Sequence, residues 1–507
     1  MNQIILRIKN YSNQNPLHFV LLVGMLFRMI AAIFSRGFGM HDDHFLIIEA
    51  AQSWIDKTDY NAWLPKDGQT IPTPTGHSFF YTGLHYVFFR ILTFLGILHP
   101  QIKMLLVRLA HAIYSMITIY YGFKITEKIA GVEVAKKVGL FLSLFWIFPF
   151  LCVRNLVEMA CVPPLIIATW LAIKNENIKW YNAILIGLIL GIGFNIRFQT
   201  ILFTCGFGLA LFIERKFIAG ILVGFGFLIC AALFQGGIDL IIWKQPFVEF
   251  AEYVRYNLEN STTYYDQPWY NYLLLLMGIF IPPINLMLLF GFFKNYKKWI
   301  LFLPSLIFLA AHSYFPNKQE RFVLPIFPFI IMLGLIGWNE FKMQSTFWKK
   351  NEKLESGFWK FFWVLNCFLL IVITPTYSKR SRVEAMLYLR EKGDVKNLII
   401  ENSNREGGLM SAHFYLSKWV TDYTITNSQQ PEAAYQSISQ MPDSTQPNYI
   451  VFYEADNIEK RVAAAKNIFA LTFETKIEPS FIDDFMYKIN PSNKNAEVFI
   501  YKISQKK

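Results

Sequence analysis

The feature that most constrains this chain is a succession of apolar blocks too long and too evenly apolar for soluble amphipathic helices. Phe19 to Phe34 and Val138 to Val153 are examples, and a helix that crosses a bilayer needs about 20 such residues. Counted by length, the blocks fall at 17–36, 104–123, 138–153, 157–173, 180–196, 198–213, 217–236, 269–293, 297–314, 322–339 and 357–376, about eleven spans. Composition agrees: 54% of residues are hydrophobic and 17% charged, below the roughly quarter charged of soluble domains. The expected fold is a polytopic α-helical membrane protein.

The net charge of +12 does not point to nucleic acid, because the basic residues sit in short clusters between apolar blocks. With the N-terminus inside, clusters around Lys124 to Lys137, Lys174 and Lys179, Arg215 and Lys216, Lys294 to Lys298, and Lys342 to Lys353 all fall on the cytoplasmic side. An odd number of spans then puts the C-terminus outside. The basic stretch at Arg7 and Lys9 has no small-residue cleavage site after it, so the first block reads as an uncleaved helix. The five cysteines lie in or beside apolar blocks and behave as small hydrophobes, without metal-knuckle or disulfide spacing. No metal or cofactor is expected.

Two domains are expected: 1–378 in the membrane, with a first outer loop at 37–103, and an extracytoplasmic α/β domain at 379–507. In the first loop, Phe45, Ile48, Ala51 and Ile55 recur at helical spacing opposite Glu49, Gln52 and Lys57, the pattern of a helix in the membrane interface. A second such segment covers about 77–98, and Pro65, Gly68, Pro72, Pro74 and Gly76 between them mark a long irregular loop. After about residue 381 the expected elements are helices at 382–392 and 431–439 and strands at 397–401, 449–453, 469–476 and 497–503, by periodicity.

The candidate chemistry lies at the outer ends of the spans. His41, Asp42, Asp43 and His44 directly follow the first span. A carboxylate there can take a proton from an attacking hydroxyl while His or Arg steadies departing negative charge; Asp42 or Asp43 can equally cap the following helix. Arg154, Glu158, Asn195, Arg197, Asp239, Asn257 and the run from Asn317 to Arg321 converge on the same side. Singly, each suits a snorkelling or helix-pairing role. Together they suggest a polar cavity in which Arg154, Arg197 and Arg321 suit a phosphate.

The run from His312 to Pro328, His-Ser-Tyr-Phe-Pro-Asn-Lys-Gln-Glu-Arg-Phe-Val-Leu-Pro-Ile-Phe-Pro, resembles the H-S-x-x-x-H-K-E-x-R-F-x-x-P-x-x-P signature of family 22 glycosyltransferases. These are GT-C-fold mannosyltransferases that use polyprenyl-phosphate mannose to build lipid-linked glycans and glycolipid anchors. Further matches follow in the family's order. Asp42-Asp43-His44-Phe45 with Glu49 resembles its first-loop acidic motif, Arg154 to Glu158 its R-x-x-x-N-x-x-E segment, and Arg197 its R-P-T-A arginine. Asp239 with Asn257 resembles its second-loop pattern, and Gln267 to Tyr272 its H-P-W-H-W-Y. The resemblance covers roughly residues 20 to 340. The family's His and Glu are replaced by Asn317 and Gln319, its second acidic residue by Asp43, and its first-loop Gln by Leu46, so the donor sugar or acceptor can differ from the family's.

The resemblance implies inverting transfer of mannose or another hexose from a polyprenyl-phosphate donor to a glycan or glycolipid acceptor on the outer face. Asp42 would be the catalytic base, with Asp43 also catalytic. Lys318, Arg321, Arg197, Arg154, His41 and His44 would bind donor phosphate and sugar, supported by Glu49, Glu158, Asp239, Asn257, Asn317 and Gln319. The alternatives are a transporter or flippase of lipid-linked sugars, against which charge gathered at one face argues, and a GT-C transferase of another family. The Phe-, Ile-, Lys- and Asn-rich composition favours a bacterial plasma membrane. Asn260-Ser261-Thr262 would be a glycosylation acceptor if the compartment were an endoplasmic reticulum.

Overall fold

The computed structural model describes residues 2–66, 73–490 and 496–504, with the side chains of Asn2, Ile4 and Asp42 outside the description. Gly68 and Pro72 of the expected irregular loop also lie outside the described residues. The chain forms two compact units, Met1–Ile33 with Ala62–His85 and Leu106–Pro375, and Phe34–Asn61 with Tyr86–Leu105 and Thr376–Lys507.

The first unit is helical, and the protein is a multi-pass membrane protein. Among the described residues, Pro16–Phe34, Pro100–Ala130, Phe217–Trp243, Glu320–Gln344 and Glu352–Ile373 are long and apolar enough to cross a bilayer. Five shorter apolar helices join them, Val157–Ile173, Trp180–Ile196, Thr200–Ile213, Ile284–Lys294 and Trp299–Tyr314. Two expected spans are interrupted. The block 138–153 becomes Val132–Leu144 and Phe148–Cys152, with a proline at the start of the second piece. The block 269–293 becomes Asn271–Ile279 and Ile284–Lys294, split at Pro282 and Pro283, whose nitrogens cannot donate to a helical ladder.

Where the hydrophobic effect cannot drive helix against helix, small residues let backbones approach and gain dispersion contacts. Trp180–Ile196 and Phe217–Ala231 meet this way: a Cβ on Gly187 would lie 2.0 Å from the Val223 carbonyl oxygen, and one on Gly226 would lie 2.2 Å from that of Ile184. The core around these helices is rich in Phe, with Phe141, Phe145, Phe203, Phe207, Phe327 and Phe329 all buried.

The second unit holds a five-stranded sheet. Its strands are β1 (Leu398–Asn402), β2 (Asp422–Thr426), β3 (Tyr449–Tyr453), β4 (Ala470–Ile477) and β5 (Val498–Ser504), in the order β2-β1-β3-β5-β4. β1 pairs parallel with β2 and with β3, while β5 runs antiparallel between β3 and β4. Every residue of β1 and β3 is buried, as expected for central strands covered on both faces. Ile399, Ile450 and Phe452 share an apolar cluster with Tyr435 and Ile438 of Pro431–Ser439 and with Val462 and Ala465 of Ile458–Ile468. Strand β2 and the helices Ile458–Ile468 and Phe481–Ile489 were not expected from the sequence.

The first-loop helices lie where expected, at His41–Ile55 and Phe79–Phe94, with two differences. The first helix is capped by Met40, with no side-chain cap bond, so neither Asp42 nor Asp43 is the N-cap; both residues stand in the first turn. Glu49, expected on the polar face, is 4% exposed, because its carboxylate accepts the Phe414 N–H at 3.0 Å. Phe79–Phe94 buries Thr82, His85, Phe89 and Leu92 and leaves Leu84, Val87, Ile91 and Phe94 exposed, an apolar stripe of the kind that lies in a membrane interface.

Candidate functional site

In the first unit, residues far apart in sequence converge on Glu158, which is fully buried. Arg197 follows the helix Trp180–Ile196, and its Nη1 lies 2.8 Å from Glu158 Oε1. Arg321, in the 3-10 turn Glu320–Ile326, brings its Nε to 3.5 Å from the same oxygen. The two guanidinium groups stand 5.1 and 5.4 Å from the Phe322 ring centre, where the ring's quadrupole attracts cations.

Side-chain amides hold the forks in place. Gln199 Oε1 accepts from Arg197 Nη2 at 2.6 Å and faces His312 Nε2 at 3.0 Å. Gln319 Oε1 accepts from Arg321 Nε at 2.9 Å, and Tyr272 donates to the Gln319 carbonyl at 3.1 Å. Two arginines thus share one carboxylate. The two guanidinium groups lie where water screens charge poorly, and their planar forks match the oxygens of a phosphate.

Of the other sequence candidates in this unit, Arg154 donates to the Phe150 carbonyl at 2.6 Å and stacks on the Phe150 ring at 3.5 Å. Lys318 is 4% exposed, and its ammonium donates to the carbonyls of Phe315, Gln267 and Pro316 at 2.6, 2.8 and 3.4 Å. It braces the turn that carries Gln319 and Arg321. Asn317 forms an isolated bridge with Asp266, and Asn257 donates to the Tyr253 carbonyl at 2.7 Å.

Asp239 belongs to a second cluster. Its Oδ2 accepts from Gln235 Nε2 at 2.9 Å and from the Glu249 N–H at 3.1 Å. Glu249 Oε2 in turn accepts the consecutive N–H groups of Gly76 and His77 at 2.6 and 3.1 Å. Gly76 is required there: its φ is +76°, and a Cβ would meet the Tyr253 backbone at 3.2 Å. Burial raises the Glu249 carboxyl to about 7, against the lowering effect of those N–H donors.

The remaining candidates belong to the second unit. Asp42 and Asp43 lie in the first turn of His41–Ile55, the Asp42 side chain being outside the description. His44 is buried, stacks on Phe38 at 5.7 Å, and faces the Tyr415 hydroxyl at 3.4 Å. His41 Nδ1 accepts from Arg382 at 3.3 Å; burial, then the charges of Arg382 and Lys379, hold its pKa down at about 2, so the ring is neutral. Burial raises Glu49 to about 7, opposed by His413 and the Phe414 N–H. Although burial pulls His413 down, Asp422, 3.1 Å from its Nε2, holds it above the ordinary histidine value.

The sequence reading missed Gln199, Glu249 and Arg382 as site residues. Gln199 had a signal, since it stands two residues after Arg197. Glu249 and Arg382 had none, because their partners Gly76 and His41 are 173 and 341 residues away.

Residues 19–403 match the Alg9-like mannosyltransferase family. Among curated proteins, the chain is 24% identical over 174 residues to GPI mannosyltransferase 3 of Saccharomyces cerevisiae, a stretch that is 32% of this chain and 28% of that protein. It is 24% identical over 410 residues to mannosyltransferase APTG1 of Arabidopsis thaliana, covering 75% of this chain and 72% of that one. Among solved structures it resembles apo ArnT from Cupriavidus metallidurans, with a TM-score of 0.62, 9% identity, and coverage of 97% of this chain and 98% of that one. The same protein bound to undecaprenyl phosphate matches with a TM-score of 0.58 and 9% identity over 95% of this chain and 97% of that one. At such identity the likeness is one of fold, and the fold is GT-C. The matched family spans most of the chain, its relatives carry the name mannosyltransferase, and this chain belongs to the Alg9-like mannosyltransferase family.

Proposed function

We propose that the chain transfers mannose or another hexose from a polyprenyl-phosphate donor to a glycan or glycolipid acceptor, at the extracytoplasmic face of the membrane. The observation that carries this reading is the convergence of Arg197 and Arg321 on the carboxylate of Glu158, a pair of guanidinium forks suited to a phosphate leaving group. ArnT, which shares the fold, binds undecaprenyl phosphate, and a lipid-linked donor calls for an enzyme embedded in the bilayer that holds its chain.

In this mechanism the acceptor hydroxyl oxygen attacks the anomeric carbon from the face opposite the phosphate. The bond from that carbon to the phosphate oxygen breaks, the lipid phosphate departs with the electron pair, and the sugar inverts. Asp42 takes the hydroxyl proton, with Asp43 beside it. An ordinary aspartate has a pKa of about 3.9, so the proton moves late, when bonding to carbon has made the hydroxyl acidic. Arg321 and Arg197 meet the charge as it grows on the phosphate. Lys318 acts by bracing the turn that carries Arg321, and Arg154, His41, His44, Asn257 and Asn317 line or support the donor and acceptor paths. The membrane domain covers 1–378 with about eleven spans, the α/β domain follows at 379–507 on the outer side, and the membrane is a bacterial plasma membrane.

The donor test uses purified protein in liposomes. Labelled polyprenyl-phosphate mannose and other polyprenyl-phosphate hexoses are supplied with an acceptor-containing lipid and glycan extract. Label moves from at least one lipid donor without any nucleotide sugar; transfer from a nucleotide sugar alone would contradict the proposal.

A further inference from the structure

The second unit contains a buried cation that, among the described residues, no carboxylate contacts. Arg382, in the first turn of the helix Arg380–Lys392, is 6% exposed. Among the described residues its guanidinium contacts no carboxylate: Nη2 donates to the Met410 carbonyl at 3.2 Å and to His41 Nδ1 at 3.3 Å, and its buried Nε has no partner. It stands 5.3 Å from the centre of the Phe38 ring, and the Lys379 ammonium stands 4.7 Å from the same centre. A cation on a ring gains less than burying an uncompensated charge costs.

The other two buried arginines of this region are paired, Arg461 with Glu401 and Arg405 with Glu454. Arg405 experiences Arg382 and Arg461 as like charges and Asp456 as an opposite one, so the three guanidinium groups repel one another while Arg382, among the described residues, contacts no carboxylate. They gather at the carboxyl ends of β1 and β3. From β1 the chain moves to β2 on one side, and β3 pairs on the other, which makes this edge a topological switch point, the usual ligand crevice of an open parallel sheet.

Two further side chains point to a ligand at that edge. Asn402, the last residue of β1, is fully buried, and among the described residues neither of its amide atoms is bonded. Ser411, next to the Met410 carbonyl that holds Arg382, has a buried hydroxyl with no partner among the described residues. Buried polar groups almost always have partners.

We propose that this crevice, headed by Arg382 with Lys379, Asn402 and Ser411, binds a phosphate or carboxylate group carried by the acceptor. The assignment to the acceptor rests on the transferase reading above: His41, which Arg382 contacts, is the neighbour of Asp42, the proposed base. An acceptor held by its anionic group at Arg382 would present a hydroxyl near Asp42, whereas a neutral acceptor would leave the arginine uncompensated.

Full-length protein in detergent, carrying Arg321→Gln to weaken the phosphate site that Arg321 shares with Arg197 in the first unit, is titrated with inorganic phosphate, or with phosphatidic acid in the micelle. Mannose is the uncharged control, and the thermal midpoint is followed. The midpoint rises saturably with anion and not with mannose. Adding Arg382→Gln weakens the apparent affinity at least tenfold, and Arg382→Lys retains part of it. A response to phosphate assigns a soluble phosphate group, and a response to phosphatidic acid alone assigns a lipid headgroup; both support the site. No response to either anion, or an equal response with Arg382→Gln, overturns it. If Arg382→Gln does not fold, unchanged affinity in both Arg382→Lys and Lys379→Gln overturns it equally. Binding is read without sugar transfer, so absence of transfer in the liposome assay refutes the transferase reading while leaving this result standing.

Discussion

Arg197 and Arg321 share one carboxylate, so the loss of Arg321 leaves Glu158 paired with Arg197 and the helices around it intact. Arg321→Gln is expected to lower kcat by about 10²–10³, the usual effect of removing one preorganised charge-stabilising donor, with thermal stability near that of the wild type. A variant with full turnover would take Arg321 out of the leaving-group site. Glu249 gives a pH signature of a different kind. Burial raises its carboxyl from 4.5 to about 7, so between those values the folded protein binds more protons than the unfolded chain. Stability through this group is therefore greatest below 4.5 and is lost as pH rises through about 7. Thermal midpoints measured across this range are expected to fall with rising pH in the wild type relative to Glu249→Gln; parallel curves would contradict the assignment. Arg197, Glu158 and Arg321 were legible as polar residues at the ends of apolar blocks, where charge needs a reason. Glu249 and Arg382 sit in ordinary amphipathic stretches, and only folding supplies their partners.

At the scale of elements, the helix Phe79–Phe94 has three faces. Phe89 and Leu92 are buried, Arg90 donates to the Tyr86 hydroxyl at 3.0 Å, and Leu84, Val87, Ile91 and Phe94 are exposed. If the third face lies in lipid, a cysteine at Val87 in protein reconstituted into nanodiscs is shielded from a membrane-impermeant maleimide, while one at Arg90 reacts. Equal labelling of both would refute the interfacial placement. This helix was legible because its apolar residues repeat at helical spacing, as were β1 and β3, whose apolar runs are bounded by turn residues. Strand β2 was not: Asp-Tyr-Thr-Ile-Thr is a short polar edge whose pairing with β1 gives it its conformation. The breaks near Phe145 and at Pro282 were hidden by continuous hydropathy, which reports lipid compatibility and not helix continuity.

For the whole molecule, the family match makes the chain an Alg9-like mannosyltransferase of GT-C fold, and in the proposed transfer from a lipid-linked sugar the chemical step hangs on Asp42. The most direct measurement is single-turnover transfer in liposomes with the cognate labelled polyprenyl-phosphate sugar, comparing the wild type with Asp42→Asn at matched amounts of folded, inserted protein. The account predicts rapid label transfer by the wild type and a rate for Asp42→Asn lower by about 10²–10⁴, the contribution of a positioned general base, with donor binding retained. Transfer by Asp42→Asn at a rate close to that of the wild type would contradict it.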